Sequence, residues 1–139
     1  MPLGTTRLVT ALERGVLRPE ASAMAKLVLI VDDDDMVRAT TVDLVESLGY
    51  RTASVANADD ALQLVTGDRF DAVLTDVRMP GMNGFQLAKC IRAIKPELPI
   101  ICVTGHADVT DDLRYCDLLI KKPYHIAFIA NVLTGLIGA

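Results

Sequence analysis

From Lys26 onward, short β-branched runs alternate with longer amphipathic stretches, and no other feature constrains the fold as strongly. Leu27-Val-Leu-Ile-Val31 is a continuous apolar run of strand length, as expected for a strand buried on both faces. Asp35 is placed to cap the helix that follows, whose apolar Val37, Leu44, Val45 and Leu48 recur at helical spacing, and Gly49 is its expected stop. Arg51–Val55 reads as a second, less apolar strand at a sheet edge. Asn57 caps a short helix holding Ala61, Leu62 and Val65 and ending at Gly67. A third strand is predicted over Phe70–Thr75, a helix over Phe85–Ile94, a fourth strand over Pro99–Val103 and a loop over Thr104–Asp108. A short, poor helix follows over Val109–Tyr115, then a fifth strand at Leu118–Ile120 and a last helix over Tyr124–Ile137. Five strands alternating with five helices through short loops imply right-handed crossovers and a parallel sheet covered on both faces. Ligands of such sheets bind beyond the carboxyl ends of the strands.

Composition supports this and removes other classes. At 139 residues the chain is one domain's worth, and 51% hydrophobic content with 4% aromatics and no Trp means an aliphatic core, suited to parallel strands. The net charge is 14 − 18 = −4, which gives no general attraction to nucleic acid, so direct DNA binding is not expected. No apolar run has the ~18–20 residues of a membrane span. Cys90, Cys102 and Cys116 stand far apart in the sequence without a Cys-x-x-Cys pair, which predicts reduced thiols, no zinc and a cytoplasmic protein. Residues 1–25 read as a leader, flexible or a short helix built on Leu8, Ala11, Leu12 and Val16.

Chemistry gathers at the strand ends. The first strand runs into Asp32-Asp33-Asp34-Asp35, the third into Asp76, the fourth into Thr104 and the fifth into Lys121-Lys122-Pro123. Crowded carboxylates repel unless a cation lies between them, and a compact, oxygen-only set suits Mg²⁺. No glycine-rich phosphate loop follows the first strand, so a nucleotide is not the natural ligand. A metal beside a carboxylate, a hydroxyl and an ammonium is suited to phosphoryl transfer, with Asp76 as the nucleophile.

Val-Leu-Ile-Val-Asp-Asp-Asp, Leu-Thr-Asp76-Val-Arg-Met-Pro-Gly-Met-Asn-Gly, Val-Thr104-Gly and Lys-Lys122-Pro123-Tyr, in that order, resemble a CheY-like response-regulator receiver domain. The resemblance covers residues 26–139 and implies a flavodoxin-like (βα)5 fold with a five-stranded parallel sheet in the order 2-1-3-4-5. It also implies that Asp76 is the phosphoacceptor, Asp33 a direct Mg²⁺ ligand and Asp32 the acid that holds the ion through water. The backbone carbonyl of Arg78 would complete the protein ligands. Thr104 would be the switch hydroxyl, Lys122 the phosphoryl-pairing lysine, and Lys122–Pro123 a cis bond. Gly105 would leave the phosphoryl site open.

Two departures stand out. Leu119 occupies the position three before the lysine, where the family commonly has Tyr or Phe, and the stretch from Thr104 to Lys122 is short, predicting a shortened fourth helix bearing Asp108, Asp111, Asp112 and Arg114. Arg78 and His106 stand near the expected path of attacking water. With no output domain in view, the resemblance implies a stand-alone response regulator of a two-component phosphorelay. It would be no conventional enzyme, catalysing only its own phosphorylation and dephosphorylation. It would take phosphate from a sensor histidine kinase or histidine phosphotransfer protein and act through protein contacts, with a homodimer possible. Two other classes compete: a phosphorylation-independent docking module, and a haloacid-dehalogenase-like phosphatase, whose Asp-x-Asp motif Asp32-Asp33-Asp34 formally matches.

Overall fold

The five residues Leu27–Val31 form β1, and all five are buried, so the strand needs a partner on each side and a layer over each face. Both are present. The computed structural model describes residues 25–105 and 114–138. After β1 come α1 (Asp35–Ser47), β2 (Arg51–Val55), α2 (Ala58–Gly67), β3 (Ala72–Asp76), α3 (Gly84–Ile94), β4 (Ile100–Thr104), β5 (Leu118–Lys121) and α4 (Ile126–Ile137). The strands form one parallel sheet in the order β2-β1-β3-β4-β5.

Strand alternation sorts the core into two layers. Leu27, Leu29, Val31, Val73, Ile100 and Cys102 pack against Ala61, Leu64 and Val65 of α2 and Leu87, Ala88 and Ile91 of α3. Val28, Ile30, Leu74, Ile101 and Val103 face the other way, onto Val42 and Val45 of α1 and Ile129 and Leu133 of α4. Tyr50 ties that second layer together at its far end, its hydroxyl donating to the Gly138 carbonyl (2.9 Å).

The elements follow the sequence closely, with shifts at the ends. Asp34, not Asp35, is the N-cap of α1, because its carboxylate accepts from the backbone N–H groups of Met36 and Val37 while Asp35 is already helical. Asn57 caps α2 as its sequence predicts. Thr104 closes β4 instead of opening a loop, since register with Lys121 extends both strands by one residue. The predicted helix over Val109–Tyr115 and the shortened fourth helix fall largely outside the described residues, as does the leader up to Met24.

One expectation is overturned. Cys102 of β4 and Cys116, just ahead of β5, are joined in a disulfide, with Cα atoms 6.3 Å apart, and Cys90 is unbridged. Distance along the chain misled here: the parallel return brings residue 116 back beside the strand that residue 102 left 14 positions earlier.

Candidate functional site

Parallel strands all end on the same rim, and here that rim is acidic. Asp32 follows β1 and is held in line by its N–H, which donates to the Val55 carbonyl at the end of β2 (3.2 Å). Asp32 as a whole is only 6% exposed, and the Asp34 N–H donates to its Oδ1 (3.0 Å). Asp33 is exposed beside it. Asp76 is the last residue of β3, in register with Val103, and the next N–H, of Val77, donates to the Val103 carbonyl (3.0 Å). One carboxylate oxygen from each of Asp32, Asp33 and Asp76 lies within 4.8 Å of the others.

Packing three acids this closely in a half-buried place has an electrostatic cost. Burial is the main cause that raises the Asp32 carboxyl above the usual 3.8; Asp33 and Asp34 add to it, while the Asp34 N–H and Lys122 oppose it. Burial likewise raises Asp76, with Lys122 the main opposing influence and Asp32 and Asp33 reinforcing the rise. Among the described residues Lys122 faces these acids, its Nζ 3.8 Å from Asp76 Oδ1. That is a loose pair, so the acids retain room and need for a further positive charge. An all-oxygen donor set this compact fits a hard divalent cation such as Mg²⁺.

The hydroxyl and the amine arrive from the neighbouring strands. Thr104 ends β4 and is 2% exposed; its carbonyl accepts the Lys122 N–H (2.8 Å), which locks the two residues side by side. The Lys122–Pro123 bond is cis, as the resemblance implies. Lys121 is exposed, in keeping with a position free to vary. Among the described residues, nothing lies within 4 Å of where a Cβ on Gly105 would stand.

Behind Asp76 the loop is stiff and tightly docked. Gly81 holds φ +76°, and Asn83 caps α3 in a reciprocal box with Gln86. The N–H of Gly84 donates to the Val77 carbonyl (2.9 Å), and any Cβ at this position would press into the Asp76 carbonyl and within 2.9 Å of the Val77 Cα. Only glycine fits there.

Asp32, Asp33, Asp76, Thr104 and Lys122 therefore share one rim, as their sequence positions predict. The Arg78 side chain is exposed, two residues beyond Asp76. Leu119 is half-buried and packs into the layer formed by α2 and α3. His106, Asp108, Asp111 and Asp112 lie outside the described residues; Arg114 is exposed over the Tyr115 ring, 5.5 Å from its centre. The Asp-x-Asp reading loses its second acid, because the Asp34 carboxylate is engaged in capping α1. Sequence inspection passed over Arg38, whose NH1 donates to the Asp32 carbonyl (2.8 Å) while NH2 pairs with Asp35 (2.7 Å). The i, i+3 spacing of Asp35 and Arg38 was the available signal. Tyr124, also without a role from sequence, joins Lys122, Thr41 and Thr75 in lining a narrow crevice beneath Asp32 and Asp76.

Comparison with known proteins places this geometry. Residues 28–127 match the model of the response regulator receiver domain. The chain is 31% identical over 110 residues to the response regulator receiver protein CpdR of Brucella abortus, a match covering 76% of this chain and 92% of CpdR. It is 40% identical over 85 residues to the C4-dicarboxylate transport transcriptional regulatory protein DctD of Rhizobium meliloti, covering 61% of the chain and 18% of DctD. Against the sensor histidine kinase RcsC of Escherichia coli K12 it is 34% identical over 113 residues, 78% of the chain but 12% of the kinase. The match thus spans less than a fifth of DctD or RcsC. Among solved structures, the CheY-like receiver domain protein of Methanospirillum hungatei superimposes with a TM-score of 0.76 at 28% identity, over 80% of this chain and 92% of that one. The receiver domain of the sensor histidine kinase PA1611 of Pseudomonas aeruginosa, whose active-site cleft coordinates a magnesium ion, gives 0.74 at 28% identity, covering 83% and 99%. With the sheet order, the acidic rim and a family match over most of its length in agreement, the chain belongs to the response regulator receiver domain family.

Proposed function

We propose that the chain acts as the receiver of a two-component phosphorelay, taking a phosphoryl group onto Asp76 from a phosphohistidine of a sensor kinase or histidine phosphotransfer protein. One observation carries this: three carboxylates from two strand ends converge within 4.8 Å, with the Lys122 ammonium 3.8 Å from Asp76. A carboxylate Oδ of Asp76 attacks phosphorus as the phosphorus–nitrogen bond to the donor imidazole breaks. The bonding pair leaves on the imidazole nitrogen, and the product is an aspartyl phosphate.

Asp32, Asp33 and Asp76, with the Arg78 carbonyl, would hold Mg²⁺, which when bound supplies positive charge to the phosphoryl oxygens and relieves the repulsion among the acids. Lys122 pairs with a phosphoryl oxygen from the other side. Thr104, next to it across the β4–β5 pair, turns its hydroxyl toward the phosphoryl group and biases a two-state equilibrium at this end of the sheet. Gly105 adds no side chain beside Thr104, on the side from which donor and water would come. Leu119 lacks a polar tip, so the response travels through the Thr104 strand end and not through a swinging aromatic ring.

Such a domain is no conventional enzyme: its only catalysis is on its own acceptor. A cytoplasmic location follows from phosphotransfer by a kinase domain that uses ATP, and a homodimer is compatible with the exposed apolar Ile126, Phe128 and Leu136 on α4. The test is labelling by acetyl phosphate. The wild-type chain should become labelled in the presence of Mg²⁺ and stay unlabelled in EDTA, and Asp76→Asn should lose the label entirely. Equal labelling of Asp76→Asn would sink the assignment.

A further inference from the structure

The Cys102–Cys116 bond plays no part in the chemistry above, yet it lies directly beneath it. Cys102 and Ile100 share one layer of β4, so Thr104, two residues further on, stands on the same face of the strand. We propose that Cys102 and Cys116 form a thiol–disulfide exchange site whose redox state sets how tightly the rim holds a phosphoryl group, an inference that rests on the phosphoacceptor reading.

The bond is not required to close this part of the fold. Arg92 on α3 already gathers the connection: its NH1 donates to the carbonyls of Pro96 (2.7 Å) and Leu98 (2.9 Å), and its NH2 to the Tyr115 carbonyl (3.0 Å) and Asp117 Oδ2 (2.8 Å). Asp117 Oδ2 also accepts the Ile100 N–H (2.7 Å), and the Asp117 N–H donates to the Ile100 carbonyl (2.8 Å). These links survive reduction. The disulfide adds a covalent tie between β4, two residues below Thr104, and the residue that precedes Asp117. A strand end tied in this way is less free to move against β5 when Thr104 reorients.

Access to the bond is one-sided. Cys102 is fully buried, whereas Cys116 is half-buried at the edge of the layer. A thiolate of a small thiol therefore attacks Cys116 Sγ. The sulfur–sulfur bond breaks, its electron pair leaves on Cys102 Sγ, and that sulfur takes up a proton. A second thiolate then attacks the mixed disulfide, releasing the Cys116 thiolate and departing as the oxidised small disulfide, so that two electrons pass to the protein pair. The reverse reaction consumes a low-molecular-weight disulfide. Cys90, unbridged on α3, takes no part.

The test uses the full chain, oxidised with glutathione disulfide or reduced with dithiothreitol, with thiols counted by alkylation and mass spectrometry. Calorimetric titration with beryllofluoride and Mg²⁺ should show the reduced form binding about five-fold or more tightly than the oxidised form. By reciprocity, bound beryllofluoride should make the disulfide easier to reduce by the same factor. Cys116→Ser should bind like the reduced form under both conditions, and Cys90→Ser should keep the difference. Equal affinity in the two redox states overturns the coupling alone, as does a bond that resists dithiothreitol in the folded chain or a difference that persists in Cys116→Ser. Binding in neither state overturns the phosphoacceptor reading and the coupling with it.

Discussion

The two rims of the sheet carry the same residue type to opposite ends. Where the strands begin, Asp71 accepts the Leu27 N–H (2.7 Å), and Asp117 accepts both the Ile100 N–H and Arg92. Each of these acids meets donors that the fold brings to it, and each pins the start of a strand. Where the strands end, Asp32, Asp33 and Asp76 are pressed together around one loosely paired lysine, and burial raises Asp32 and Asp76. The first arrangement lowers the energy of the chain by itself. The second raises it until a cation arrives, so the contrast between satisfied and frustrated carboxylates separates scaffold from site.

Substitutions at the two rims should therefore act in opposite directions. Arg92→Ala removes four donated hydrogen bonds at the first rim and should cost roughly 2–3 kcal/mol in a urea titration, with acetyl phosphate labelling retained. Asp32→Asn at the second rim keeps the shape but removes a buried charge. It should raise the melting temperature of the metal-free chain by a few degrees while weakening Mg²⁺ about ten-fold or more in calorimetry. A metal-free Asp32→Asn chain that melts below wild type would end the idea that this rim is frustrated.

The pH dependence sharpens the same contrast. Folded Asp32 and Asp76 take up protons at higher pH than their unfolded counterparts near 3.8. As pH falls through the raised folded values, the metal-free fold binds more protons than the unfolded chain, so these two acids add stability across that window and no more below 3.8. Mg²⁺ affinity runs the other way and should fall over the same window, because protons compete for the ligand oxygens. Calorimetry at stepped pH, with and without Mg²⁺, reads both slopes. The smallest effect belongs to Arg38→Ala: freeing the Asp32 carbonyl should weaken Mg²⁺ by only about three-fold while leaving the melting temperature within a degree or two.

Much of this was legible in the sequence because the relevant signals are local. Leu27–Val31 announces a doubly buried strand by composition alone, Asn57 and Gly67 bracket a helix, and the strand-end acids follow directly from where the apolar runs stop. Boundaries that depend on a neighbouring strand were less legible. Thr104 extends β4 only because Lys121 lies opposite, and Asp34 takes the cap because Asp32 has already turned the chain. The disulfide was missed for a related reason: the expected strand order sets β4 beside β5, but not which residue ahead of β5 comes to face Cys102. Arg38 showed only as one of many surface charges until its fork was seen to reach back to Asp32.

The glycine at the start of α3 sets a limit on how this molecule can change. With the Asp76 carbonyl filling the space a side chain would take, position 84 admits no variation that leaves the acceptor in place. Helix and acceptor are in effect a single rigid part with a fixed spacing. Any remodelling of this chain toward new partners, by selection or by an engineer, must leave that joint alone and work on surfaces that do not bear on it.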